Sequence, residues 1–157
     1  MKTSVMEKYH IALGVLYKQK EVINKLYEDI HGIDLADHDK RYVFALKAQQ
    51  LFTAVEDLLK TIAGVFENQL HDHARYHAEL IGLMHTEIPG RRPALLSDNS
   101  KRLLDKLRAF RHFIRHGYEY ELDRDELQLL QHKLQTNFMH LLNDLDVFGE
   151  FIKNLDD

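Results

Sequence analysis

Arg111 and His116 lie within Arg111-His112-Phe113-Ile114-Arg115-His116-Gly117-Tyr118, in the most basic stretch of an otherwise acidic chain. The pattern is Arg-x4-His-x-Tyr. An arginine holds a phosphate through a planar fork of donors, and a histidine moves protons near neutral pH. Together they could grip and cleave a phosphodiester. An Arg-to-His spacing of this kind also arises by chance, so the flanking residues must carry much of the case.

Five residues on an ideal helix amount to about 500°, which leaves positions 111 and 116 about 140° apart. Two arrangements would let them converge. The helix could end near Arg115, with Gly117 turning the chain in the left-handed conformation. Alternatively, each residue could meet its copy from a second subunit. The second arrangement has a chemical attraction. RNA cleavage by 2′-OH attack needs one group to take a proton and another to give one. A two-fold dimer supplies two His116 imidazoles for that exchange and two Arg111 guanidinium groups to offset charge on the phosphate oxygens. His112, one turn before His116, could assist or substitute.

Charge is unevenly distributed. Between Lys101 and His116 there are six Lys/Arg (101, 102, 106, 108, 111, 115) and one acid, Asp105. From Gly117 to Asp157 there are ten Asp/Glu and three Lys/Arg, within a formal charge of −4 overall. A basic helix ahead of an acidic tail gives one local patch that could attract a polyanion, with Lys106 and Arg108 as the expected RNA contacts and Arg115, like His112, in support of the Arg111/His116 pair. The competing reading is a helix face neutralised by the acidic segment inside the fold.

The elements that must position these residues are helical. The two prolines, Pro89 and Pro93, both sit in Pro89-Gly90-Arg91-Arg92-Pro93, and the remainder is rich in Leu, Lys, Glu, Gln and Ala. A first helix is expected from about Ser4 to Ile30, with Ile11, Val15, Val22, Leu26 and Ile30 as its apolar stripe. A second runs from Asp39 to about Asn68, burying Val43, Leu46, Leu51, Val55, Leu58, Ile62 and Phe66. A third, more polar helix covers Asp72 to Met84. A fourth begins at Ser97 or Ser100 and carries the basic motif behind Leu103, Leu107, Phe110 and Ile114. A fifth starts at Asp123, with Glu126 completing a capping box, and reaches about Lys153. The expected fold class is all-α: an antiparallel bundle of four to five helices in one domain, residues 1–157. This length buries about two-thirds of the unfolded surface, enough for folding without a metal or disulfide.

The chain has no cysteine. That excludes disulfides, thiolate zinc sites and cysteine nucleophiles, and suits a cytoplasmic location. No secretory h-region follows Met1-Lys2-Thr3-Ser4, and no apolar run is long enough to span a membrane. Glu7-x-x-His10 and Glu28-x-x-His31 have di-iron spacing, but they lie 21 residues apart on one expected helix, about 31 Å, too far to share an ion. His71, His73 and His77 could face one metal, although a solvated helix explains them better. His132 and His140 read as boundary residues. There is no phosphate loop, dinucleotide fingerprint or serine nucleophile elbow. No cofactor and no metal site are expected.

The string Leu103-Leu104-x-x-Leu107-x-x-Phe110-Arg111-His112-Phe113-x-Arg115-His116-x-Tyr118-x-x-x-Leu122-Asp123 resembles the HepT-like HEPN ribonucleases, toxins encoded beside a minimal nucleotidyltransferase (MNT) antitoxin. The strong match covers about residues 95 to 130. The resemblance implies a helical bundle that forms a homodimer through the motif helix, and a metal-independent endoribonuclease with its cleft between subunits. Arg111 would stabilise the phosphoryl transition state, His116 would act in acid/base catalysis, and Tyr118 would receive AMP from the partner enzyme. AMP there adds charge and bulk beside the cleft and so obstructs RNA. The substrate class is cellular RNA, with tRNA one candidate. His112 departs from the Asn or Asp often found after the motif arginine. The alternative is a non-catalytic HEPN subunit that binds a nucleotidyltransferase and presents its substrate.

Overall fold

The structure is a computed structural model that describes residues 4–67, 76–116 and 121–155. It contains five helices: α1 (Val5–Ile30), α2 (His38–Phe66), α3 (Tyr76–His85), α4 (Asp98–His116) and α5 (Arg124–Asn154). Among the described residues the one β feature is an isolated bridge between Ile88 and Arg92. The expected all-α bundle is observed.

Short polar side chains set the starts of the helices by accepting from otherwise unpaired backbone N–H groups. Ser4 Oγ accepts from Glu7 N at 3.1 Å. Asp37 accepts from Asp39 N and Lys40 N at 2.9 and 3.3 Å, which starts α2 one residue earlier than Asp39. Asp123 caps α5 through Asp125 N at 2.8 Å. For α4 the cap is Ser97: its carbonyl accepts from Lys101 N at 2.9 Å and its Oγ from Ser100 N at 3.4 Å. Ser97 is itself anchored, because its N–H and its Oγ both donate to Asp144 Oδ2 on α5 at 2.8 Å. The expected third helix began at Asp72. Helix α3 begins at Tyr76, and residues 68–75 lie outside the described part of the chain.

Helix α1 lies along α2 and α5, while α4 packs on α5 and α2. Leu16, Ile23, Phe44, Phe52, Phe138 and Phe148 are fully buried between them. Each such side chain contributes about 1.5–3 kcal/mol by leaving water. The apolar positions expected on α5 (Leu127, Leu130, Leu134, Phe138, Leu141, Leu145, Phe148) are all buried. Two stripes fall differently. On α1 the buried line is Ala12, Leu16, Ile23 and Ile30, whereas Ile11 and Val22 face outward. At the start of α2, Phe44, Ala45 and Ala48 turn inward, whereas Val43 and Leu46 are exposed. Alanine carries part of both inward faces, so the largest aliphatic residues do not mark the phase.

The Pro-Gly loop does more than break the helix. Gly90 takes φ +79°, a left-handed turn that folds the loop back on itself. This tucks the Arg92 side chain fully out of solvent. Its Nε donates to Glu67 Oε1, Nη1 to the carbonyls of Thr86 and Pro93 at 2.8 and 3.0 Å, and Nη2 to that of Leu83 at 3.0 Å. One guanidinium thus ties the end of α2 to the end of α3 and the approach to α4.

Candidate functional site

Helix α4 is amphipathic. Leu103, Leu104 and Leu107 are buried and Phe110 and Ile114 are partly so, which turns the intervening basic residues outward on both sides. Its helical register runs through His116, the last described residue of the helix, close to the end expected near Arg115. The His116 side chain and residues 117–120, Tyr118 included, lie outside the described part of the chain.

Arg111 rests on α2. Its Nη1 lies 3.7 Å from Glu56 Oε1, and its guanidinium carbon is 5.8 Å from the centre of the buried Phe52 ring. Arg111 is 23 % exposed and Glu56 only 5 %. A carboxylate sunk in an apolar face costs several kcal/mol unless cations compensate it. Here Lys60 Nζ, one turn along α2, also lies 3.7 Å from Glu56 Oε1. The aromatic face and the buried anion together fix where the guanidinium sits.

Arg111 and Arg115 open onto a groove of about 490 Å³ between α1, α2 and α4, where Gln49, Gln50 and Thr53 supply hydrogen-bonding groups. Arg108 is about 60° from Arg111 around α4. It is half-buried, and its Nε is shielded from solvent with no hydrogen-bond partner among the described residues. His112 and Arg115 are exposed. Lys106 is not in this groove: it lies about 140° around the helix, facing α5. Arg111 and Arg115 therefore share a surface, while Lys106 belongs to another.

The residue that sequence reasoning missed is Glu56. A signal was present, because an acid stands at the apolar phase of the second helix, four after Phe52 and three before Leu59. Acid–arginine partnership across helices, however, is not visible in one sequence.

At the start of α4, His85 Nε2 meets Asp98 Oδ1 at 2.7 Å, and this hydrogen bond holds the Asp98 carboxyl below the usual carboxylate range. Among the described residues no group of three His, Cys, Asp or Glu could hold a metal ion. Glu7 and Glu28 do share α1, with His31 as its C-cap. His71 and His73, and the side chain of His77, fall outside the described part. No helix among the described residues is long and apolar enough to cross a membrane.

The chain is thus an all-α bundle with an arginine braced on a buried acid at the mouth of a groove. The chain belongs to the HepT-like family: residues 43–152 match the family described as "HepT-like protein". That span takes in most of α2 through nearly all of α5, including Glu56, Arg111 and the whole motif. Comparison with curated proteins gives no match, and neither does comparison with solved structures.

Proposed function

We propose that the protein is a metal-independent endoribonuclease, the toxin of a HEPN/MNT toxin–antitoxin pair, acting in the cytoplasm as a single HEPN-like helical domain. The observation that carries this reading is the fixed position of Arg111, held by Glu56 and Phe52 at the mouth of a groove that Arg115 also lines. In the reaction the substrate 2′-oxygen bonds to phosphorus and the P–O5′ bond breaks. One proton leaves the 2′-OH and one reaches the departing 5′-oxygen. Arg111 offsets the charge that builds on the phosphate oxygens. His116 and its copy in a second subunit exchange the protons, with His112 in support.

Homodimerisation through α4 fits the surface around the groove. Val22 and Leu46 line it and are 40 % and 55 % exposed, apolar area that a second copy would cover. The partner enzyme, a minimal nucleotidyltransferase, neutralises the toxin by transferring AMP to the hydroxyl of Tyr118.

Induced expression tests the reading. Wild-type protein should arrest growth and degrade RNA, and purified protein should cleave RNA in EDTA. Arg111→Ala and His116→Ala should abolish both effects. Co-expression with the nucleotidyltransferase should add the mass of one AMP at Tyr118. Growth arrest that survives His116→Ala would refute the nuclease assignment. Partner binding with RNA left intact would indicate the non-catalytic subunit instead.

A further inference from the structure

Helix α4 has a second cationic edge, turned away from Arg111. Arg102, Lys106, Ala109 and Phe113 recur at spacings of four, three and four, one stripe about 16 Å long. Arg102 lies about 180° around the helix from Arg111. Helix α5 forms the facing wall with Lys133, Thr136 and Asn137, and the groove between them holds about 650 Å³.

Among the described residues, no acid of the C-terminal segment forms an ion pair with the cations of this groove. Asp105, the groove's carboxylate among the described residues, is taken by Lys101 at 2.7 Å. Asp98, close enough to Arg102 to feel its charge, is taken by His85. Among the described residues Lys106 and Lys133 have no carboxylate partner. Asn99 Oδ1 accepts from Arg102 Nη2 at 2.7 Å and steadies that guanidinium. Lys133 is one of three Lys/Arg after His116, against ten acids, and it falls on this groove. Phe113 continues the stripe beyond the groove and is 38 % exposed.

We propose that the α4–α5 groove is a second nucleic-acid contact, separate from the Arg111 groove, which takes the backbone of single-stranded RNA flanking the bond to be cut. This rests on the ribonuclease reading. Cations lining a groove, with amide and hydroxyl groups between them, are the elements that track the backbone of a single strand without reading sequence. A duplex would instead be met by shape across a wide minor groove.

The test uses the full chain, a fluorescein-labelled 20-nucleotide single-stranded RNA and a dinucleotide substrate. Arg102→Gln combined with Lys133→Gln should weaken 20-mer binding about tenfold at low salt. It should also reduce the slope of log K against log salt by about 1.4, at about 0.7 per cation for single strands. Cleavage of the dinucleotide should be unchanged, and circular dichroism should confirm the fold. Lys133→Glu alone should weaken the 20-mer further than Lys133→Gln. Unchanged 20-mer affinity and salt slope would overturn the proposal. So would variants that keep RNA affinity but lose the nucleotidyltransferase, because the groove would then be a protein-binding surface. If wild-type protein cuts neither RNA, the ribonuclease reading falls, and the binding measurements still decide the groove.

Discussion

Glu56 and Arg111 meet across the α2–α4 interface with 3.7 Å between Oε1 and Nη1, the acid buried and the guanidinium reaching the groove. The contact is too long for a hydrogen bond, so its effect is electrostatic and orienting. Glu56→Gln keeps the shape and removes the charge. It should lower kcat on RNA about tenfold to a hundredfold with little change in KM, since a misaimed arginine loses mainly transition-state stabilisation. Glu56→Asp should recover part of the rate. Glu56→Ala should also destabilise the fold, by about 1–3 kcal/mol in urea titrations. Full activity in Glu56→Gln would remove Glu56 from any positioning role.

Arg111→Lys should be nearly as inactive as Arg111→Ala, with cleavage down about 10²–10³-fold. An ammonium keeps the charge but loses the planar fork and changes the approach to the Phe52 ring face. Single-turnover cleavage of a labelled RNA checks this, and wild-type rates in Arg111→Lys would refute a bidentate role.

Arg92→Met should cost about 3–5 kcal/mol, because Glu67 would be left as a shielded anion and three carbonyls would lose their donor. Arg92→Lys should recover little, since one ammonium cannot reach four acceptors at once. Urea unfolding monitored by circular dichroism measures both.

The His85–Asp98 contact sets a pH dependence. The Asp98 carboxyl is held low by hydrogen bonding to His85, helped by charge from His85, Arg102 and Lys101. A depressed folded-state pKa adds stability above the ordinary carboxylate value of about 3.9, and that stability is lost as pH falls through the folded value. Melting of wild type and Asp98→Asn should therefore differ near neutral pH and converge in acid. His85→Ala should move the Asp98 carboxyl upward in an NMR titration.

The fold was legible because long helices leave a strong period. Leu127 to Phe148 on α5, and Leu103 with Leu107 on α4, appear in the sequence as they lie in the structure. The phase of α1 was not legible, because Ala12 faces inward while Ile11 does not, and hydrophobicity cannot rank two such neighbours. Within the site, the arginine was visible from its motif and the family from the string around it. Glu56 was not, since its meaning depends on α4 crossing α2 some 55 residues later. The separation of Lys106 from Arg111 was implicit in their five-residue spacing, but only the α5 wall turns that separation into two grooves.

One oxygen of Glu56 serves two cations, Lys60 and Arg111. An anion arriving in the groove can thus share the guanidinium while Glu56 goes on orienting it, because the Lys60 ammonium carries part of the buried carboxylate's compensation and leaves some of the Arg111 charge to face outward.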